Sequence, residues 1–299
     1  MLEIANLEIH VAHVCNLTCE SCSHYSNQNH KGLLDLAEAE RWMALWSARL
    51  RPRVFSVLGG EPTIHPELAA FVTLVRKYWP SSHLRLVTNG FFLNRHPDLP
   101  GALQAARNHG IYLSVHHDSP EYRARLNPQL ELLRAWKREF GIRVETTPSF
   151  NNWTRRYHGF GAAMEPFQDG QPRQSWERCP ARRCPQIFEE KIWKCGPLAY
   201  LKLQNAKYGL SDSWKPYLAY KPLESDCSDA ELVQFFGRED EAVCGMCPSS
   251  PQRFAIPLPL PRPVRSKLGV DGQATGQDPL QPEESEQTPL AQAVPLAST

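Results

Sequence analysis

Hydrophobic and polar positions alternate along the first 150 residues in a way that predicts strands and helices in turn. Apolar runs and alternating patterns predict five strands, at 7–14, 54–58, 84–87, 111–115 and 142–147. Helical spacing lies between them, at 35–50, 66–78, 98–109 and 119–140, with a break expected in the last helix near Pro128. Repeated strand–helix units indicate parallel strands joined by crossover helices.

Unusual residues follow the predicted strands at one end. A cysteine-bearing loop follows the first strand, Gly59-Gly60-Glu61-Pro62 the second, Thr88-Asn89-Gly90 the third and His116-His117 the fourth. An open doubly wound sheet and a βα barrel both fit the alternation, and both collect ligand sites at the carboxyl ends of their strands. The sequence therefore predicts a ligand site at this edge.

The regular pattern ends near residue 150, and the composition then changes twice. Residues 151–250 are rich in Trp, Tyr, Pro and Cys, whereas 251–299 are Pro-rich and polar without periodicity. We predict a barrel core over 1–150, a remaining barrel element with a Cys-rich domain over 151–250, and a disordered tail over 251–299.

Composition is typical of a globular protein, with 41% apolar and 22% charged residues in a chain of 299. The net charge of +1 gives no general attraction for nucleic acid or an anionic membrane, so we expect neither partner. No secretory signal and no apolar run long enough to span a membrane are visible. The nine cysteines then indicate metal or redox chemistry in the cytoplasm more than disulfides.

Three of these cysteines, Cys15, Cys19 and Cys22, have the spacing C-x3-C-x2-C. A full thiolate shell for a 4Fe–4S cluster takes four cysteines, so three leave one iron open for another ligand. The alternative is a zinc site completed by His13 or His24, but zinc sites more often show paired C-x2-C knuckles. The spacing favours iron–sulfur.

This cysteine motif directly after a strand, with Gly-Gly-Glu-Pro after the next strand, resembles the radical S-adenosylmethionine (SAM) superfamily over roughly residues 7–150. The resemblance implies an α/β fold, a partial (βα)6 barrel of parallel strands with a small Cys-rich C-terminal extension. It also implies that the open iron chelates SAM. An electron from the cluster would then split SAM into methionine and a 5′-deoxyadenosyl radical, which takes a hydrogen atom from the substrate.

The resemblance extends to the residues expected to bind SAM. Gly59, Gly60, Glu61 and Pro62 match a turn that contacts the methionine amino group, with Glu61 able to accept from the ammonium. Thr88 and Asn89 resemble residues that face the nucleoside, and either His116 or His117 would face the barrel interior.

One position departs from the family pattern. Ser21 stands where many members have an aromatic residue that covers the adenine, so Tyr25 or His24 would have to substitute.

The segment from Cys184 to Cys195 reads as a hairpin flanked by cysteines, followed at a distance by Cys244 and Cys247. It is similar to the shortened auxiliary-cluster domain called twitch, a relative of the SPASM domain. That similarity implies a second 4Fe–4S cluster on these four cysteines, and a structural zinc site with the same ligands is the alternative.

Two cysteines, Cys179 and Cys227, are then left over. Either could replace one of the four ligands or be a free buried thiol. A thiol can also give a hydrogen atom to a substrate radical, as an epimerase requires, and we assign this role to Cys227.

Two functions of different class follow. The first is a radical SAM enzyme that modifies a small metabolite, sugar or peptide by dehydrogenation, epimerisation or peptide modification, with an electron donor such as flavodoxin or ferredoxin. The chain begins close to its first strand, so a peptide substrate would need a separate recognition protein. The second is a non-catalytic zinc or iron–sulfur protein that binds a partner or transfers electrons.

Overall fold

Seven strands form one sheet in the computed structural model, which describes residues 1–106 and 108–258. The strands are β1 (Leu2–His10), β2 (Leu50–Leu58), β3 (His83–Thr88), β4 (His109–Val115), β5 (Val144–Pro148), β6 (Gln186–Phe188) and β7 (Lys191–Trp193). Their order is β5-β4-β3-β2-β1-β6-β7. Strands β1 to β6 pair in parallel and β7 pairs antiparallel with β6. The predicted α/β fold with six parallel strands is therefore confirmed.

Eight α-helices accompany the sheet within the described residues. They are α1 (Leu36–Ser47), α2 (Leu68–Tyr78), α3 (Leu99–Ala105), α4 (Pro120–Phe140), α5 (Pro172–Glu177), α6 (Gly196–Tyr208), α7 (Lys215–Leu218) and α8 (Asp229–Gly237). The N-cap side chains of Asp35 and Ser119 accept from backbone N–H groups in the first turns of α1 and α4.

Two expectations about individual elements were wrong. Helix α4 continues through Pro128, because this residue and Ala124, whose carbonyl loses its helical partner, lie on the exposed face of the helix. Strand β1 covers Leu2–His10 rather than 7–14, because its register with β2 runs from Leu2 opposite Leu50 to His10 opposite Leu58. Residues after His10 already belong to the cysteine-bearing loop.

The two faces of the sheet differ in polarity. On β1, Leu7 and Ile9 are fully buried on the face under the helices, while Glu8 and His10 point to the inner face. Ser56 of β2 and Arg85 of β3 lie in register with Glu8 on that inner face. The helices thus cover an apolar face, and a polar face lines the concave interior.

The described residues all lie in one compact unit. The expected tail lies outside the described residues from position 259 onward. The division at residue 150 stays a prediction. Among the helices of the described chain, none is long and apolar enough to cross a membrane.

A core substitution tests this packing. Replacing fully buried Leu7 by Ala leaves a cavity between the sheet and its helices, and we expect the free energy of unfolding to fall by about 2–5 kcal/mol. Val233→Ala is the control, because Val233 is 57% exposed and should change stability little. Urea denaturation of both variants and the parent measures the difference, and an equal effect of the two would contradict the packing described.

Candidate active site and metal centres

The loop after β1 brings three thiols to one pocket. Cys15, Cys19 and Cys22 line a pocket of about 210 Å³ beyond the carboxyl ends of the strands, which we call the cysteine pocket. Its remaining lining residues are Leu17, Ser23, His24, Ser26, Asn27, Leu58, Gly59, Gly60, Val87, Thr88, Asn89, Ser114, His116, Ser149 and Trp153. The end of each of the first four strands contributes to this site.

The glycine turn after β2 holds the cysteine loop in place. The Gly60 N–H donates to the Ala12 carbonyl at 2.6 Å, and the Glu61 N–H donates to the Val14 carbonyl at 3.0 Å. A Cβ at Gly59 would lie 2.6 Å from the Ala12 carbonyl oxygen, and one at Gly60 would lie 2.5 Å from that of Val14. Both positions therefore require glycine so that the turn can approach the loop backbone.

The Glu61 carboxylate links the glycine turn to the neighbouring strand. Its carboxylate is fully buried and accepts from the Thr63 N–H at 2.9 Å, the Thr63 and Thr88 hydroxyls at 2.5 Å and the Asn89 N–H at 2.7 Å. Burial raises the pKa of Glu61, and these four donors counteract the rise. Glu61 thereby ties the turn to the end of β3.

The other expected SAM-binding residues divide into two sets. Thr88 and Asn89 line the cysteine pocket together with His116. Pro62 lies outside the lining, and His117 turns away to accept from the Ser119 N–H at 3.0 Å. Both histidines lie just after β4 rather than within it. Of the two, only His116 lines the pocket.

Two buried polar atoms in the pocket make no hydrogen bond to the described part of the protein. Ser26 Oγ and His116 Nδ1 have no hydrogen-bond partner within residues 1–106 and 108–258. An unpaired buried polar atom costs free energy, so these two favour a polar ligand in the cysteine pocket. SAM carries such groups, and the pocket residues fit it.

The thiols have the chemistry of metal ligands. Burial raises the pKa of Cys15 and Cys19, so a metal centre is needed to hold them as thiolates. Burial also opposes ionisation of Cys22, but hydrogen bonds from the His24 side chain and nearby backbone outweigh it and lower the pKa of this thiol.

Of the two histidines considered for completing a zinc site, His24 lines the cysteine pocket with the three thiols. His13 lies outside the pocket lining, with its Nδ1 3.1 Å from Nδ1 of His10. Across the described residues, no three His, Cys, Asp or Glu side chains converge on a position for a single metal ion.

The aromatic residues near the pocket also differ from expectation. Ser21 Oγ accepts from the backbone N–H groups of Arg156 and Tyr157, at 2.6 and 3.3 Å, and so fastens the cysteine loop to that segment. Tyr25 is buried and donates its hydroxyl to the Pro197 carbonyl. His24, the other expected substitute, does line the pocket, and so does Trp153, whose ring lies 5.5 Å from that of His116.

A second group of four thiols surrounds another cavity. Cys179 follows α5, Cys195 follows β7, and Cys244 and Cys247 lie in and after the short helix Ala242–Met246. The Ser175 hydroxyl of α5 donates to the Cys247 carbonyl at 2.9 Å and holds these segments together. We call this the second thiol cavity, and its four cysteines include Cys179.

Cys184 does not belong to this cavity. It precedes β6, which forms the expected hairpin with β7. Its side chain lines a different cavity of about 430 Å³ on the inner face of the sheet. This inner cavity shares part of its wall with the cysteine pocket, namely Ser23, His24, Leu58, Val87 and Ser114. Cys179 therefore takes the place that the sequence interpretation gave to Cys184.

Cys227 lies at the wrong end of the sheet for the hydrogen-donor role. Its Sγ accepts from Nη1 of Arg49 at 3.2 Å, directly before the first residue of β2. The cysteine pocket lies beyond the last residue of the same strand, which is about 25 Å long at 3.3 Å per residue. The structure therefore contradicts this assignment.

The inner cavity contains a polar row that the sequence interpretation missed. Arg85 donates from Nη2 to Glu8 at 3.2 Å and from Nε to the Ser56 hydroxyl at 2.9 Å. Gln186 donates from Nε2 to Glu8 at 2.5 Å. The available signal was the alternation of polar residues with Leu7 and Ile9 along β1, which is typical of a strand with a polar inner face.

A substitution at Gly60 tests the contact between turn and loop. An added methyl group in Gly60→Ala would meet the Val14 backbone, so we expect the loop to shift and the purified protein to lose iron. Gly101→Ala in α3 is the matched control, since a Cβ there would meet no heavy atom within 4 Å beyond its own helix and alanine favours a helix. The iron content of both purified variants measures this effect. Full iron in Gly60→Ala would contradict the requirement for glycine at this position.

Comparison with known proteins agrees with this site. Residues 9–148 match the family described as Radical SAM superfamily. A probable GTP 3′,8-cyclase of Sulfolobus acidocaldarius is 27% identical over 118 residues, which are 40% of this chain and 36% of that protein. The GTP 3′,8-cyclase of Chlorobaculum tepidum is 30% identical over 109 residues, 36% of this chain and 32% of its own. The matches thus cover about a third of each relative's length.

Among solved structures, BtrN in complex with AdoMet and 2-DOIA superposes with a TM-score of 0.49 at 18% identity. The match covers 85% of this chain and 98% of that one. The family match runs from the last two residues of β1 to the end of β5 and includes the cysteine loop and the glycine turn. Residues 9–148 therefore form a radical SAM domain.

Proposed function

We propose that the protein holds a 4Fe–4S cluster on Cys15, Cys19 and Cys22 and uses it to cleave SAM in the cysteine pocket. The observation that supports this most is the convergence of three thiols, a glycine turn and unpartnered polar atoms on one pocket. When bound and reduced, the cluster supplies the electron that splits SAM into methionine and a 5′-deoxyadenosyl radical, which takes a hydrogen atom from the substrate.

Asn89 is the chain's own contribution to the electronics of this centre. Its Nδ2 donates to Oδ1 of Asn16 at 2.8 Å and lies 3.8 Å from Sγ of Cys15, whose other neighbour is the Leu17 N–H at 3.4 Å. Hydrogen bonds to a ligating sulfur orient it and tune the potential of the metal centre. Asn89 therefore positions Cys15, and the Glu61 carboxylate holds Asn89 through its backbone N–H.

Ser26 and His116 would complete the binding of SAM. Burial lowers the pKa of His116 to about 4, so its ring is neutral at pH 7 and Nδ1 can accept or donate a hydrogen bond without adding charge. Gly59, Gly60 and Thr88 offer backbone and hydroxyl groups on the neighbouring wall.

The second thiol cavity would hold a second 4Fe–4S cluster on Cys179, Cys195, Cys244 and Cys247, with a full thiolate shell. Burial raises the pKa of Cys195, as it does for Cys247, and a metal centre would offset the cost of ionising them. A cluster here, with no open iron, suits electron transfer rather than binding of SAM.

The inner cavity suits a small polar substrate. Its volume of about 430 Å³ lies in the range of small-molecule sites, about 300–1,000 Å³. Dehydrogenation and epimerisation of a small metabolite or sugar both fit this proposal, and a peptide with a separate recognition protein is the other candidate substrate. An electron donor of the flavodoxin or ferredoxin class and a cytoplasmic location complete it, because reducing conditions preserve free thiols.

Iron counting tests the first cluster. The triple variant Cys15→Ala, Cys19→Ala, Cys22→Ala should keep about four of eight irons, because the second site has its own full set of ligands. The parent, purified anaerobically, should absorb at about 400 nm, as iron–sulfur proteins do. It should also form 5′-deoxyadenosine from SAM and dithionite, whereas the triple variant should form none. A parent that binds iron but makes no 5′-deoxyadenosine would be an electron carrier only.

The second ligand set has its own test. Cys179→Ala should lower the iron content of the second site and keep the cluster of the cysteine pocket, because it removes one of the four thiolates of the second site only. Cys227→Ala is the control, since Cys227 lies at the far end of β2 and should leave the iron content unchanged. Unaltered iron in Cys179→Ala would show that this cysteine is not a ligand.

A further inference from the structure

A group of basic side chains lies next to the second thiol cavity. Arg178, Arg182 and Arg183 are exposed residues between α5 and β6, on both sides of Cys179 in the sequence. Arg182 lines the second thiol cavity itself, together with Lys194, which follows β7. The segment that carries a proposed cluster ligand therefore also places positive charge at the surface beside that site.

Two of these cations also line a separate pocket at the surface. Arg182 and Lys194 form part of the wall of a pocket of about 240 Å³, which we call the basic pocket. Arg183 and Arg238 are its other basic residues, and Phe236 of α8 contributes a partly exposed aromatic ring. Because Arg182 and Lys194 belong to both walls, a molecule in the basic pocket lies next to the second thiol cavity.

Much of this positive charge has no carboxylate of its own. Nζ of Lys194 lies 2.6 Å from the Glu241 carboxylate, and Nη1 of Arg238 lies 3.3 Å from the same group, so one carboxylate serves two cations. Arg178 and Arg183 have neither an ion pair nor a side-chain hydrogen bond within the described part of the chain. Unpaired surface cations attract an acidic partner and speed its approach.

The neighbouring acidic residues are engaged with other cations. Glu177 and Glu239 both pair with Arg173, each at 2.8 Å. Glu3, the acidic residue in the lining of the basic pocket, pairs with Arg51. These carboxylates are therefore not partners of the unpaired arginines, and the surface keeps its positive character.

The second thiol cavity is joined to the cysteine pocket by direct contacts. Gly196 follows Cys195 in the chain, and a Cβ on Gly196 would lie only 2.7 Å from Cδ2 of His24. The His24 side chain lines the cysteine pocket and hydrogen-bonds to Cys22. A proposed ligand of one cluster is thus connected to a proposed ligand of the other through two intervening residues.

We propose that a small acidic electron carrier, of the flavodoxin or ferredoxin class, docks on the basic pocket and the adjoining Arg178 and delivers electrons to the second site. This inference rests on the function proposed above, because it needs both clusters. The reduced carrier loses one electron and the second cluster gains it. That electron then passes by way of Gly196 and His24 to the first cluster, and the second cluster returns to its oxidised state. No covalent bond forms or breaks in this transfer.

The character of the surface suits a transient complex. Electron-transfer partners associate through small interfaces, below about 1,200 Å², and depend on charge for fast encounter. Phe236 packs beside Phe235 with their ring centres 5.4 Å apart, and it provides an apolar contact among the cations. Aromatic residues within a charged rim are typical of protein–protein interfaces.

The first experiment measures docking alone. The iron-loaded protein is titrated anaerobically with a purified acidic flavodoxin in its oxidised state, and calorimetry gives the Kd. We expect the double variant Arg178→Glu, Arg183→Glu to raise the Kd by at least about tenfold at low salt, because charge reversal replaces attraction by repulsion. Added salt should weaken binding by the parent and reduce the difference.

The double variant Lys137→Glu, Arg138→Glu is the matched control for docking. These consecutive exposed residues near the end of α4 precede β5, the strand at the other edge of the sheet, and their reversal changes the net charge equally. The control should bind flavodoxin as the parent does. Equal weakening in both double variants, or no weakening in either, would overturn the docking site.

The second experiment tests the route of the electron. Each protein receives SAM with either dithionite or reduced flavodoxin, and 5′-deoxyadenosine is measured. Dithionite needs no docking surface, so its rate is the reference for each protein. Relative to that reference, Arg178→Glu, Arg183→Glu should lose most of the flavodoxin-driven rate. So should Cys244→Ala, Cys247→Ala, which removes two of the four thiolates of the second site. Flavodoxin-driven rates equal to the parent's in both variants would overturn the route.

The outcomes separate this inference from the proposed function. If the parent forms 5′-deoxyadenosine with dithionite while the arginine variant and its control bind flavodoxin equally, the docking site is refuted and SAM cleavage stands. No 5′-deoxyadenosine from the parent with either reductant would refute the proposed function, and the electron route with it, whatever the Kd values are.

Discussion

The close approach of the glycine turn to the cysteine loop is the constraint on which the site depends. A loop of cysteines has no regular structure to hold it, so its position must come from bonds to a rigid element. The N–H groups of Gly60 and Glu61 provide them, by donating to the Ala12 and Val14 carbonyls. The buried Glu61 carboxylate then links this turn to the end of β3, so that three neighbouring strands define one pocket.

The two faces of the sheet have different roles, one in the stability of the fold and the other in forming the cavity. The outer face buries Leu7, Ile9 and similar residues under the helices, and this apolar burial stabilises the fold. The inner face keeps Glu8, Ser56 and Arg85 in contact with one another, because buried charges and hydroxyls require partners. The same polar row leaves part of Arg85 directed at the inner cavity, so the arrangement that satisfies the interior also provides a binding surface.

The cysteines illustrate how tertiary structure divides residues of one type among different tasks. Cys179 and Cys184 are close in sequence, yet a turn between α5 and β6 directs them into separate cavities. Burial raises the pKa of Cys184 in one cavity and that of Cys195 in the other. A thiol grouped with three others is suited to a metal centre, whereas one beside a carboxylate in a polar cavity remains a thiol.

The sequence by itself determined the parallel α/β fold, the first cysteine set and the chemistry expected of it, because hydrophobic periodicity and short motif spacing are local properties. It also placed Gly59, Gly60, Thr88 and Asn89 at strand ends, where the pocket forms. Only the tertiary structure decided that Glu61 is held by protein donors, that Cys179 joins the second cavity, and that Cys227 lies at the opposite end of the sheet. These depend on which distant segments meet, and spacing along a chain does not encode the direction in which a side chain points after a turn.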